Sequence, residues 1–314
     1  MKFVVYGAGA IGGVIAAHLF RSGIPTTVVA RGAHLQAIRD HGLTLDTADG
    51  RRAYPIPAAA HAGEVEWSDD TVVVLAVKSQ QTDAALADLR AHAPMTTPIV
   101  SAQNGVANEP AILRLFPQVH SITVMLPALH LEPGVVVQGS VAAPGILDIG
   151  RFPDGIDSTT VAISAALRAA SFASEVRDDI AAWKYRKLIT NLGNGVDAVF
   201  RPDDPHHDDL INRARTEGEA VLAAAGIRAV TAAQDKARRA DHIVRRTDRD
   251  SFGTSTWQSV HRGVGDVEID YLTGEIVLLG RLHGVPTPTN EYIQQSVALV
   301  VREGLGAGSL GVVG

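Results

Sequence analysis

Cysteine is absent from the 314 residues, which removes disulfides, thiolate nucleophiles and cysteine-ligated metals at once and makes a reducing compartment, the cytoplasm, the default. Long uninterrupted apolar runs are missing as well. The nearest approach, from Lys2 to Phe20, is broken by Gly7, Gly9, Gly12 and Gly13 and carries His18. It therefore reads as neither a signal peptide nor a membrane span, and a soluble protein is expected. An excess of positive charge is lacking too: 28 basic and 34 acidic side chains give a net charge of -6, a balance that advertises neither nucleic acid nor an anionic membrane. Even the most basic stretch, with Lys236, Arg238, Arg239, Arg245, Arg246 and Arg249, has Asp235, Asp241, Asp248 and Asp250 interleaved and builds no single-sign field.

What is present is ample apolar material, 46% of the chain, enough for two domains with their own cores. In the first half, short β-branched runs at 2–6, 26–30, 71–77 and 99–102 alternate with helical patterns. That alternation predicts a parallel, doubly wound, Rossmann-like sheet. Residues 43–45 and 53–56, flanking the turn-rich 47–50, read as a small inserted hairpin, and 120–124 as a further strand. From 135 to 149 short strands separated by Gly and Pro suggest antiparallel edges added to the sheet. An Ala-rich helix is expected over 158–173, and further helices over 181–200, 208–225, 231–246, 265–283 and 290–302. The fold class is thus α/β, with a Rossmann-like domain over 1–176 and an all-helical domain over 177–314. The size of the helical domain makes a homodimer plausible, and the glycine-rich tail 304–314 is expected to fray.

The strongest local signal is at the start. Phe3-Val4-Val5-Tyr6 runs into Gly7-Ala8-Gly9-Ala10-Ile11-Gly12 and then into an apolar helical run: strand, glycine turn, helix. Gly7 permits the tight turn, Gly9 lets backbone approach a pyrophosphate, and Gly12 lets helix and strand pack closely, while the helix N-terminus offers N–H groups and partial positive charge. Where NAD-preferring enzymes place an acid at the tip of the second strand, this chain reads Ala30-Arg31, with no carboxylate before Asp40. Arg31 can pair with a 2′-phosphate, so the expected cofactor is NADPH.

Polar residues just past the strands are the next candidates, because ligands of such sheets bind at the carboxyl ends. Lys78 follows the run 71–77 and Asn104-Gly105 follows 99–102, although a strand terminus and a turn dipeptide explain them equally well when taken singly. In the second half, Asn191 lies about 40° round from Lys187 and Asn194 about 20° on the other side, at 100° per residue, so the three share one helix face. Solvated faces of this kind are common. Glu268 would lie in the first turns of a helix, where the dipole favours its charge. Ligand-type residues also crowd at Asp203-Asp204-Pro205-His206-His207-Asp208-Asp209, but without a recognised metal spacing a helix start is expected there and no metal.

In order and spacing, Gly7-Ala8-Gly9-Ala10-Ile11-Gly12, Arg31, Lys78, Asn104-Gly105, Arg186-Lys187-Leu188 with Asn191, Ser255 with Gln258, and Glu268-Ile269-Asp270-Tyr271 with Gly274 resemble the signatures of the ketopantoate reductase (2-dehydropantoate 2-reductase) family over nearly the whole chain. The resemblance implies NADPH-dependent reduction of a 2-keto acid to a 2-hydroxy acid, the family reaction being ketopantoate to pantoate in pantothenate biosynthesis. It assigns Lys187 as proton donor to the carbonyl and Glu268 as acceptor of a substrate hydroxyl. It further implies that Asn191 and Ser255 contact the substrate, that Asn104 lies near the nicotinamide ribose and that Lys78 lies near cofactor or substrate. Chemistry agrees, since a lysine beside a developing alkoxide both stabilises the charge and supplies the proton.

Three positions depart from the family pattern. Gly195 stands where the family has a second substrate-contacting Asn, with Asn194 one residue earlier as its replacement; Val267 precedes Glu268 where Thr is frequent; and the stretch from Gln258 to Glu268 is one residue longer. These bear on the substrate and leave the reaction type standing. A β-hydroxyacid dehydrogenase-like enzyme would carry a glycine-rich stretch before the lysine, whereas Ala181-Ala182-Trp183-Lys184-Tyr185-Arg186 precedes it here. A catalytically silent NADPH-binding sensor would have no use for both Lys187 and Glu268.

Overall fold

The computed structural model describes residues 1–240, 242–248, 253–261 and 267–312. The strands are β1 (Lys2–Tyr6), β2 (Thr26–Val29), β3 (Leu43–Thr47), β4 (Gly50–Tyr54), β5 (Ala58–Ala59), β6 (Thr71–Leu75), β7 (Ile99–Ser101), β8 (Val119–Met125), β9 (Ala128–Leu129), β10 (Val135–Gln138) and β11 (Ile146–Arg151). The helices are α1 (Ala10–Arg21), α2 (Gly32–His41), α3 (Thr82–His92), α4 (Asn108–Leu113), α5 (Ser158–Ala169), α6 (Ile180–Asn191), α7 (Gly193–Val199), α8 (His207–Ala224), α9 (Ala232–Arg239), α10 (Ser255–His261), α11 (Ile269–His283) and α12 (Pro288–Arg302). They form two compact units, one of Met1–Gln103, Asn108–Ala181 and Ala233–Phe252, the other of Asn104–Ala107, Ala182–Ala232 and Gly253–Gly314. No helix among the described residues is long and apolar enough to cross a membrane.

The first unit is built on a seven-stranded sheet ordered β11-β8-β7-β6-β1-β2-β5. Every pairing is parallel except that of β11 with β8. The chain winds outward from β1 to β5, then returns to β6 and winds the other way, so the strand order reverses beside β1. That places the glycine turn at the topological switch point, where ligands of such sheets bind. Parallel strands are buried on both faces. Accordingly Phe3 and Val5 of β1 enter one apolar cluster while Val4 and Tyr6 enter another.

The expected hairpin is present as β3 and β4, but it founds a separate four-stranded sheet, β4-β3-β10-β9. Of the strands expected as antiparallel edges over 135–149, only β11 joins the main sheet; β10 pairs parallel with β3. Helix α1 packs on both sheets: a Cβ on Gly12 would lie 3.0 Å from Val5 Cγ1 of β1, and one on Gly13 would lie 2.5 Å from Val136 Cγ1 of β10. This is why α1 is apolar nearly all round.

Helix α5 ends at Ala169 rather than at 173, because Ser171 turns at φ 72° and Ala173 and Val176 pair with β11. The helix expected over 231–246 covers only Ala232–Arg239. Residues 244–246 run beside 139–141, with Val141 N–H donating to Val244 O, Arg246 N–H to Gly139 O, and Ser140 bridging Arg245. Charge explains the departure. Arg238 pairs with the fully buried Asp148, and Arg246 with the buried Asp46. The basic stretch is thus partly internal, while Asp241, Arg249 and Asp250 lie outside the described residues.

In the second unit α6, α7, α8, α10, α11 and α12 pack round one core that includes Leu188, Leu192, Val196, Leu272, Ile276 and Ile293. The helix expected over 181–200 is two helices meeting at Leu192. The one expected over 265–283 is described from Ile269, and Gly265 lies outside the described residues. The tail does not fray as far as 312: Leu310 bridges Phe200, and Val312 N–H donates to Asp204.

Candidate active site

Local geometry at the glycine turn separates three jobs. Gly7 sits at φ 100°, in the left-handed region, with Val77 Cγ1 2.8 Å from where a Cβ would stand. At Gly12 a Cβ would lie 2.0 Å from Gly7 O, so only glycine lets α1 approach the turn. Gly9 caps α1, and a Cβ there would meet nothing within 4 Å. The backbone is therefore bare on the side that leads into the first-turn N–H groups of α1, which have no acceptors within the helix. Such a surface fits a dinucleotide pyrophosphate.

The turn is held from outside by His34 on α2. His34 Nδ1 accepts the N–H of Gly134 at 2.8 Å, so the ring proton lies on Nε2, which donates to Ala8 O at 2.8 Å. Burial, and secondarily the neighbouring His130, pushes the His34 pKa down to about 4, which keeps Nδ1 an acceptor at neutral pH. At the end of β2, Ala30 is buried and Arg31 is exposed, capping α2 through its backbone alone. At the end of the neighbouring β1 the Tyr6 hydroxyl donates to Asp88 Oδ2 at 2.6 Å, and its pKa is pushed up to about 12 by burial and by Asp88.

Lys78 is half-buried rather than solvated, and it caps the short helical turn Ser79–Gln81. A buried polar network fixes this loop. Gln103 Nε2 donates to Val77 O at 3.0 Å and to Thr82 Oγ1 at 2.8 Å; Thr82 Oγ1 donates to Asn108 Oδ1 at 2.8 Å, and Asn108 Nδ2 to Ser79 Oγ at 3.1 Å. These side chains are at most 4% exposed. Satisfied in this way, the network rigidifies the carboxyl ends of β6 and β7.

In the second unit, α6 turns Leu188 and Ile189 into the core, with Leu192 buried just past its end, and leaves Lys187 half-buried. Its basic neighbours do not form a solvated face: Lys184 is 5% exposed, and Arg186 is 8% exposed with its guanidinium on Val230 O and Glu219. Asn191, 4% exposed, directs Nδ2 at Asn104 Oδ1, 3.4 Å away, which brings two of the expected site residues together. Gly105 beside it adopts φ 77°, and a Cβ would lie 2.8 Å from Tyr271 O. Gly195, by contrast, faces the core, 2.7 Å from Ile293 Cγ2 and 3.0 Å from Ile269 Cδ1 in Cβ terms. No asparagine fits there in this packing. Asn194 is half-buried, and its carbonyl accepts from Thr254 Oγ1 at 3.3 Å. Ser255 is the exposed first residue of α10. Glu268 is half-buried at the N-cap of α11, where its side chain makes no capping bond.

Asp204, in the ligand-type stretch 203–209, accepts the N–H groups of His206 and Val312, each at 2.9 Å. Metal-type ligands converge instead at His61, Asp88 and His92. There His92 Nδ1 is 3.0 Å from Asp88 O, and Asp88 Oδ2 accepts from Tyr6 Oη and Ala62 N, so the polar atoms are largely consumed among themselves.

Comparison with known proteins matches this geometry. The sequence model of a family described as ketopantoate reductase PanE/ApbA matches residues 3–154, and that of its C-terminal domain matches residues 179–300. A 2-dehydropantoate 2-reductase of Mesorhizobium japonicum is 32% identical over 335 aligned positions, covering 96% of this chain and 97% of its own. The structure of a PanE/ApbA family ketopantoate reductase from Ralstonia eutropha JMP134 aligns with a TM-score of 0.82 at 26% identity, over 97% of this chain and 99% of its own. A D-mandelate dehydrogenase shares the fold at 21% identity, with a TM-score of 0.81 over 97% of this chain and 99% of its own. Both halves of the sequence, and the fold they build, thus agree on one assignment: the chain belongs to the ketopantoate reductase PanE/ApbA family.

Proposed function

We propose that this protein reduces a 2-keto acid to the 2-hydroxy acid with NADPH, and that ketopantoate is the first substrate to test. The observation that carries the reading is the presence, in one chain, of a bare glycine turn with Arg31 just past the second strand and of a half-buried Lys187 one helical turn before Asn191, which itself meets Asn104. The turn from Gly7 through Ala8, Gly9, Ala10 and Ile11 to Gly12 would hold the pyrophosphate and Arg31 the 2′-phosphate. Asn104 would hold the nicotinamide ribose, and Lys78 would serve cofactor or substrate. Bound NADPH supplies the hydride for the carbonyl carbon. Lys187 polarises the carbonyl oxygen and delivers a proton to it as negative charge builds, so that C=O becomes CH–OH. Asn191 orients the substrate, with Asn194 and Ser255 as further contacts, and Glu268 accepts a hydrogen bond from a substrate hydroxyl.

The core-facing Gly195 favours a second reading of the substrate. With no asparagine on that face, one of the family's grips on ketopantoate is missing, and a 2-keto acid with fewer polar groups becomes competitive. The test is NADPH oxidation, followed by absorbance, across a panel that includes ketopantoate and apolar 2-keto acids. Turnover of at least one member is expected, with kcat/KM ranking the two readings. Tight NADPH binding without turnover of any would contradict the assignment as a reductase.

A further inference from the structure

His34 lies in the first turn of α2, and both of its ring nitrogens are engaged. Nδ1 accepts the N–H of Gly134 at 2.8 Å, and Nε2–H donates to Ala8 O at 2.8 Å. Gly134 belongs to the loop between β9 and β10. It adopts φ 77°, its carbonyl accepts the N–H of Thr44 at 2.8 Å, and a Cβ on it would lie 2.8 Å from Ala37 Cβ of α2. In the same loop His130 backs the ring of His34, with centroids 4.1 Å apart, and its own Nδ1–H donates to Val135 O at 3.0 Å. The imidazole is thus set on one side by the second sheet and reaches the nucleotide turn with the other.

What it holds there is a peptide plane. Ala8 is 2% exposed, but Gly9 has no side chain to fix the peptide that joins them, and a peptide beside glycine flips at little cost. The bareness that lets a ligand approach therefore leaves the donor unaimed. The Ala8–Gly9 bond is trans, so its N–H points opposite to its C=O. His34 holds that C=O toward α2, and α1 crowds it, since a Cβ on Gly13 would lie 2.8 Å from Ala8 O. The N–H of Gly9 is accordingly directed away from α2. We propose that His34 is a positioning residue for the pyrophosphate of the cofactor: by taking the carbonyl of Ala8 it keeps the Gly9 N–H aimed at phosphate, and it ties that aim to the β9–β10 loop. The inference rests on the reading of this turn as the pyrophosphate site.

The test is the Kd of NADPH and of NADH, by fluorescence titration, in wild type, His34→Ala, His34→Asn and His34→Gln, with Gly9→Ala alongside. Both cofactors carry the pyrophosphate, so His34→Ala is expected to weaken them alike, roughly three- to tenfold, the contribution of one hydrogen bond. Asparagine offers its amide near the place of Nδ1 and is too short for Ala8, so it should bind as weakly as alanine. Glutamine can put an amide N–H near the place of Nε2 and should recover most of the loss. Unchanged affinity in His34→Ala, a glutamine no better than alanine, or an asparagine as good as wild type would overturn the proposal. A loss confined to NADPH would overturn it too, because Arg31 caps α2 and a loosened helix would act through the 2′-phosphate. Should His34→Ala not fold, His34→Asn, which keeps an acceptor for Gly134, makes the same comparison with glutamine. If Gly9→Ala binds both cofactors like wild type, the turn is not the pyrophosphate site, and the underlying reading falls and takes the proposal with it.

Discussion

Gly9 and Gly12 occupy equivalent-looking places in the sequence motif yet meet opposite surroundings, open space at one and a backbone oxygen 2.0 Å from the Cβ position at the other. Their alanine variants should therefore fail differently. Gly9→Ala is expected to fold with a loss of no more than about 1 kcal/mol, the cost of a poorer N-cap, while NADPH binding drops at least tenfold. Gly12→Ala should lose roughly 1–3 kcal/mol or more through overpacking. Chemical denaturation and cofactor titration of the two variants check this, and a Gly9→Ala variant that binds like wild type would contradict it. The residues that support the turn could not be found this way. Tyr6 is separated from Asp88 by 82 positions, His34 from Gly134 by 100 and Gln103 from Thr82 by 21. In the sequence Tyr6 is one more apolar strand residue, and His34 one more polar position on an exposed helix. Nor could periodicity tell that Lys184 and Arg186 are buried, because a basic pair on a helix looks solvated until its partners are known.

At the scale of elements, β1, β2, β6 and β7 of the main sheet were legible because β-branched runs bounded by turn residues carry their own signal, whereas the two-residue edge strand β5, Ala58–Ala59, carries none. The second sheet was not. Its β10 pairs in parallel with β3, Val135 opposite Thr44, and no local pattern announces such a partner. The helix expected over 231–246 stops at Arg239, with 244–246 paired to 139–141 and Arg246 on the buried Asp46, while Arg238 inside the helix reaches a second buried carboxylate. Asp148, 0% exposed, accepts from Arg238 and Arg177 and from the N–H of Glu175. Removing it leaves Arg238, 7% exposed, and Arg177 with the half-exposed Glu175 as counter-charge. Asp148→Ala should therefore destabilise the first unit by about 3–5 kcal/mol, read as a shift in denaturant midpoint. A loss below about 1 kcal/mol, the range of exposed pairs, would show that the cluster is solvated.

At the scale of the whole molecule, the α/β first half, the helical second half and the reaction type could be read from the order of a few signatures along the chain. The sequence did not show that 104–107 belongs with the helical unit and 233–252 with the sheet unit, because such returns of the chain leave no compositional mark. The substrate stays least legible for a related reason. It depends on which way single side chains face, and position 195, expected by resemblance on the substrate side, faces Ile293 and Ile269.

In the proposed reaction Lys187 gives the proton. The most direct measurement is kcat for the best 2-keto acid in Lys187→Ala, together with the NADPH Kd of the same variant. A fall in kcat of roughly 10²–10⁴ with NADPH affinity preserved is expected. Turnover near that of wild type, with the cofactor still bound, would contradict it.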